Sequence, residues 1–175
     1  MRQVYNHLRA QDFQVPWFRI FCGNIARPRA LITLWLACHG KLPTRSRLFR
    51  FGIVNYATCC FCSKEETIDH ILFECNETSR IWKQVLDWLG IAHDPKPWSE
   101  ELCWLMQQCR GKSVRATMLK LALAESVYGV WQLRNSVSFD KELDATKIVS
   151  NILDVIVYRG WTSLKLRSHI ALLML

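Results

Sequence analysis

Four residues between positions 59 and 75 have side chains and spacing that suit the binding of a metal ion. Cys59, Cys62, His70 and Cys75 form the pattern C-x2-C-x7-H-x4-C. Thiolate and imidazole are the ligands that zinc prefers, and two cysteines separated by two residues can bind one ion from a tight turn. Because these four ligands complete a tetrahedral shell, no position is left for water or substrate. The pattern predicts one structural Zn2+ ion and no catalytic metal.

The residues between the ligands indicate how the chain positions them. Thr67 can cap a short helix over residues 68–74 that presents His70 from its first turn. His70 and Cys75 are five positions apart in the chain, which would place them about 140° apart on an ideal α-helix. We therefore expect Cys75 to lie where the helix has unwound. Cys60 is expected to point away from the metal, and a short hairpin is expected beside it.

Apolar residues recur at helical spacing along the rest of the chain, and none of it alternates as a solvated strand would. Leu31, Leu34, Trp35 and Cys38 are expected to form the buried face of one helix. Thr44 is expected to cap a strongly basic helix. The fold is predicted to be mainly α, an irregular multi-helix domain with a small Cys3His zinc knuckle. Helices are expected around residues 4–8 and at 28–39, 45–51, 79–89, 99–105, 113–137 and 144–156. Gly40 is expected to end the second of them. Ser99 and Asp144 are expected to cap the helices that begin there, and the last helix carries apolar Ile148, Ile152, Val155 and Ile156.

A turn-rich stretch at residues 94–97 is the best candidate for a boundary within the chain, since it contains two prolines. It predicts two parts. Residues 1–92 would hold the basic helices, the zinc-binding segment at residues 55–76, called the knot below, and the helix that follows it. Residues 98–175 would form a C-terminal helical subdomain packed on the first part.

Positive charge is concentrated in the N-terminal third. The chain has a formal net charge of +8, and residues 1–64 contain ten Lys or Arg against the single acid Asp12. Residues 65–77 contain five acids and no Lys or Arg, so phosphate is expected at the basic helix and not at the knot. The alternative is that these arginines only keep the exposed faces of helices in contact with water and bind no partner. The candidate nucleic-acid contacts are Arg27, Arg29, Lys41, Arg45, Arg47 and Arg50.

The cysteines and the N-terminus bear on the compartment. The first residues lack an apolar signal core, so the eight cysteines are expected to be reduced in an intracellular protein. The nucleus or cytoplasm is expected, with mitochondrial import as a lesser alternative. The longest apolar run, residues 30–38, is far shorter than the roughly 20 residues that span a bilayer. No membrane span is expected.

The order of several motifs resembles a known family. After Trp35 come Leu42-Pro43-Thr44, Arg47-Leu48, the first cysteine pair, Glu66-Thr67, His70, Phe73, Cys75, Ile81 and Trp82, and much later Trp131-Gln132-Leu133-Arg134-Asn135 with Phe139. This order is similar to the zinc-binding domain found C-terminal to the polymerase in plant non-LTR, LINE-type reverse transcriptases. The family usually has a proline where Cys60 stands. The resemblance covers most of the chain and implies Cys59, Cys62, His70 and Cys75 as zinc ligands.

The resemblance implies a function without catalysis. The chain contains no Tyr-x-Asp-Asp polymerase motif and lacks the spread of carboxylates that a two-metal nuclease needs. The expected function is that of a detached, zinc-stabilised module that binds RNA or DNA through its N-terminal basic face. The alternative is a domesticated retroelement fragment that binds a protein partner through the apolar C-terminus, residues 169–175.

Overall fold

A computed structural model describes residues 15–139 and 145–174, and helices make up most of these residues. Extended pairing within the described residues is limited to an antiparallel bridge between Thr58 and Glu65. The predicted mainly α fold with a Cys3His knuckle is thereby confirmed. The helices are α1 (Phe18–Phe21), α2 (Pro28–Cys38), α3 (Arg45–Arg50), a π-helical turn (His70–Glu74), α4 (Asn76–Trp88), α5 (Trp98–Gln108), α6 (Val114–Ser138), α7 (Ala145–Thr162) and α8 (Arg167–Leu173).

Short-range signals correctly predicted most helix ends. The Thr44 hydroxyl accepts a hydrogen bond from the backbone N–H of Arg47 at 3.4 Å, which caps α3. Gly40 follows α2 with φ of 63°, a left-handed conformation that glycine adopts without steric cost. Ser99 is not the cap of α5, because Pro97 occupies that position and Ser99 lies inside the helix. The predicted helix over 4–8 and the predicted cap Asp144 lie outside the described residues.

Helix α6 lies at the centre of the core, where it contacts α2, α4, α7 and the π-helical turn. The predicted buried face of α2 is correct for Leu34 but wrong for Trp35, which is 47% exposed. The α2 residues buried with Leu34 are Ala30, Thr33 and Ala37. Small side chains let two helix backbones approach closely, so the alanines face inward and the larger Trp35 remains at the surface.

The C-terminal helices complete this core. Ile148, Ile152 and Ile156 of α7 are buried, as predicted. Helix α8 was not predicted, and it places the fully buried Ile170 against Gly160, where a larger residue would clash. In the described part of the chain, no helix has both the length and the apolarity required to cross a membrane. The division at residues 92–98 stays a prediction.

Candidate metal centre

A short hairpin positions the first pair of cysteines. The backbone N–H of Cys59 donates to the carbonyl of Lys64 at 2.8 Å, and that of Glu66 donates to Ala57 at 2.7 Å. The tight turn closed by these bonds carries Cys62. Within it, the N–H of Phe61 donates to the Cys59 sulfur at 3.4 Å, and a donor at sulfur favours its thiolate form. The hairpin therefore presents two cysteine sulfurs on one side, as the spacing predicted.

A π-helical turn positions the second pair of ligands. The Thr67 hydroxyl accepts from the N–H of His70 at 3.1 Å, as expected for a cap. The N–H of Cys75 then donates to the carbonyl of His70 at 2.8 Å, five residues back. This wider turn brings Cys75 back beside His70, whereas α-helical geometry would hold the two residues about 140° apart. Cys75 itself is extended, with φ of −66° and ψ of 133°, so it lies where the helix has ended, as predicted.

The four side chains converge on one point. One donor atom from each of Cys59, Cys62, His70 and Cys75 lies within 4.8 Å of all the others. The Cys62 sulfur is 3.1 Å from Nε2 of His70 and 4.0 Å from the Cys75 sulfur. A tetrahedral zinc ion with bonds of about 2.3 Å to sulfur would separate two sulfurs by about 3.8 Å. The spacing of the donors therefore suits one zinc ion in a closed Cys3His shell.

The electrostatics of the cluster also favour a cation. Hydrogen bonds from Cys60 and Cys75 lower the pKa of the Cys59 thiol. The same contacts with Cys59, together with burial, raise the pKa values of Cys60 and Cys75. Crowded sulfurs cannot all ionise by themselves, and a divalent ion removes this conflict by binding several thiolates at once. Nδ1 of the buried His70 has no hydrogen-bond partner among the described residues, and Nε2 faces the sulfurs.

Cys60 stays outside this Cys3His cluster. Its sulfur lies 4.0 Å from the carbonyl oxygen of Arg134 on α6. Cys59, Cys60 and Glu66 also lie close enough together to form a second potential ligand group. That group shares Cys59 with the first, and its carboxylate is already paired with Arg134 at 2.6 Å. The Cys3His group is therefore the better metal site. Cys60 is not part of it, but the prediction that it points away is wrong, because its sulfur lies close to that of Cys59.

Glu66 holds the knot to the rest of the molecule, a role that the sequence analysis missed. Its carboxylate is fully buried, and Oε1 accepts from Nε and Nη2 of Arg134 at 3.0 and 2.6 Å. The same oxygen accepts from the backbone N–H of Arg45 at 2.7 Å. Counting Glu66 among the acids that repel phosphate was therefore wrong, because it is neutralised inside the protein. Glu66 and Arg134 both belong to the motifs that carry the family resemblance, which was the available signal.

The six predicted nucleic-acid contacts fall into different environments. Arg27 donates from Nη2 to the buried carboxylate of Glu125 at 2.6 Å, and its guanidinium lies over the ring of Tyr128. Its charge is thus compensated within the protein. Arg29, Lys41 and Arg50 are exposed.

Arg45 and Arg47 are half-buried, and the guanidinium of each donates one hydrogen bond to a backbone carbonyl. Nη1 of Arg45 donates to Thr58 at 2.9 Å, and Nη1 of Arg47 donates to Gly40 at 3.1 Å. A guanidinium carries five N–H donors, so each arginine retains donors for a further partner. Arg45 lies at the start of α3, where its own N–H contacts Glu66. The metal centre and the basic helix are thus adjacent.

The fold and the site define a helical zinc-binding protein. The family model zf-RVT, described as zinc-binding in reverse transcriptase, matches residues 1–82. Residues 1–82, slightly less than half of the chain, are therefore similar to the zinc-binding domain of reverse transcriptases, and the resemblance seen in the sequence is confirmed to that extent. The matched domain is not a catalytic one. Neither the curated proteins nor the solved structures provide a match to this chain.

Proposed function

We propose that this protein is a non-catalytic, zinc-stabilised module that binds RNA or DNA through the surface of α3. The observation that carries the proposal is the charge of this surface: residues 41–50 contain four Lys or Arg and no acid. Phosphate contacts are assigned to Arg29, Lys41, Arg45, Arg47 and Arg50. The proposal includes derivation from a plant LINE-type reverse transcriptase and an intracellular location, in the nucleus or cytoplasm.

The zinc knot is assigned a structural part and not a phosphate contact. Glu65, Glu74 and Glu77 are exposed on or beside it, and exposed carboxylates repel phosphate. The carboxylate of Asp69 already accepts a hydrogen bond within the protein, from the backbone N–H of Ser99 at 2.7 Å. Arg27 is assigned a structural role and no phosphate contact, because its ion pair with Glu125 compensates its charge. The contact surface is therefore α3 with the residues beside it, together with Arg29 on α2.

Replacing three arginines of α3 with glutamine tests this assignment. The triple variant R45Q/R47Q/R50Q should bind nucleic acid more weakly. The slope of log affinity against log salt concentration should become less steep by up to about three units. The matched control is R110Q/K112Q/R115Q, which removes the same charge from exposed positions elsewhere. Binding is measured by fluorescence anisotropy over a salt series. Equal losses in the two variants would contradict the assignment to α3, and absence of binding at about 50 mM salt would contradict nucleic-acid binding altogether.

The second candidate is a domesticated fragment that binds a protein through the C-terminus. Leu164, Leu172 and Met174 are 85%, 68% and 60% exposed, although Ile170 beside them is buried. Exposed aliphatic residues of this kind fit a partner surface. Co-purification with and without nuclease distinguishes the two candidates. Partners that survive nuclease and are lost in L172E would favour the protein-binding function.

A further inference from the structure

Exposed aromatic rings are interleaved with the arginines of α3 and of the loop that follows it. Phe51 and Tyr56 are 65% and 55% exposed. The guanidinium of Arg45 lies over the ring of Tyr56 at 5.0 Å from its centroid, and that of Arg47 lies over the ring of Phe51 at 5.2 Å. Each ring therefore has an arginine over one face and presents much of its remaining surface to solvent.

These two arginine–ring pairs are poorly explained by packing. More than half of the surface of each of the two residues remains in contact with water, so the burial of the rings contributes little to stability. An apolar protein partner is also a poor fit, because the four cations of residues 41–50 would lose hydration, and that segment contains no acid to compensate them. A polyanion that also carries flat apolar faces fits both the charge and the rings.

We propose that Phe51 and Tyr56 stack on the bases of a single-stranded nucleic acid while Arg45 and Arg47 contact its phosphates. Every base has an aromatic face, so stacking on protein rings gives affinity without sequence preference. A duplex hides these faces between its base pairs, whereas a single strand exposes them. The inference rests on the proposed function and adds the strand state of the ligand.

The test removes the rings without changing charge, in the variant F51L/Y56L. Wild type and variant are compared by fluorescence anisotropy on three ligands of about 20 nucleotides: oligo-thymidine, an abasic strand with the same phosphates, and a DNA duplex. Wild type should bind oligo-thymidine most tightly. Since one stacked base contributes at least about a fivefold gain in affinity and the variant removes two rings, it should lose about 25-fold or more on oligo-thymidine. Its affinity for the abasic strand and its salt dependence should equal those of wild type.

The controls separate stacking from folding and from charge. Tyr158 is 67% exposed on α7, outside the basic segment, so Y158L should bind all three ligands as wild type does. Zinc content and helical circular dichroism verify that F51L/Y56L is folded. If wild type binds oligo-thymidine and the abasic strand equally, or if the variant loses the same factor on both, stacking is refuted and phosphate binding stands. Failure of wild type to bind any of the three ligands would overturn both proposals.

Discussion

Replacing Glu66 with glutamine tests the assignment of this residue as the link between the knot and α6. The substitution preserves shape and one acceptor oxygen but removes the negative charge beside Arg134, whose side chain is only 6% exposed. A buried cation without its partner is costly, and breaking such a pair typically costs 3–5 kcal/mol. Because the amide oxygen can still accept from Arg134, we expect the lower end, about 3 kcal/mol. That loss corresponds to an unfolding constant raised by roughly 150-fold.

The free energy of unfolding is measured by urea denaturation of zinc-loaded protein, followed by helical circular dichroism. The matched control is E74Q, because Glu74 pairs with Lys64 at 3.4 Å where the two side chains are 40% and 68% exposed. That variant should lose less than about 1 kcal/mol. Adding R134M to E66Q should restore part of the loss, since it removes the unpaired cation. A loss below about 1 kcal/mol in E66Q would refute the assignment.

Two further predictions concern the cysteines. C62S should reduce zinc from one ion per chain to none and lower the helical content, because metal binding in such sites supplies folding free energy on the order of 10 kcal/mol. Elemental analysis measures the zinc content, and circular dichroism measures the helical content. Full helicity without metal would contradict this prediction. Burial raises the pKa of Cys38 to about 12 and that of Cys109 to about 11, whereas Cys22 and Cys103 are exposed. Thiols are protonated below their pKa and then react slowly, so iodoacetamide at pH 8 should label Cys22 and Cys103 first. Peptide mass mapping measures the order of labelling. Equally fast labelling of Cys109 would be inconsistent with its burial.

Local patterns in the sequence predicted the features that depend on neighbouring residues. The spacing of the cysteines and of His70 predicted four side chains that the structure brings together, and Thr44 and Gly40 mark helix ends. The π-helical turn was not predictable in this way, because the period of an α-helix says nothing about an i to i+5 hydrogen bond. The buried face of α2 was mispredicted because hydrophobicity favours Trp35, whereas close helix packing favours alanine.

Long-range contacts account for the rest of what the sequence analysis missed. The partners Glu66 and Arg134 are 68 residues apart in the chain. Read locally, each is an ordinary charged residue, and only the fold shows that their charges cancel. The same holds for Arg27, which is 98 residues from Glu125. Net charge counted along the sequence therefore overstated the acidity of the knot. It also overstated the number of arginines in the N-terminal third whose charge is not compensated within the protein.

The position of Glu66 explains how a zinc knot without phosphate contacts can still serve a basic surface. One carboxylate oxygen binds the first backbone N–H of α3 and the guanidinium of Arg134 on α6. The backbone carbonyl of Glu66 also accepts from the N–H of Ser46 at 3.3 Å, and its N–H closes the cysteine hairpin. The start of α3 is thus attached to the metal-bearing hairpin by the hydrogen bonds at Glu66 and by the bond from Nη1 of Arg45 to the carbonyl of Thr58. Zinc, by fixing that hairpin, would fix the direction in which α3 presents its arginines, without any metal ligand having to contact the proposed nucleic acid.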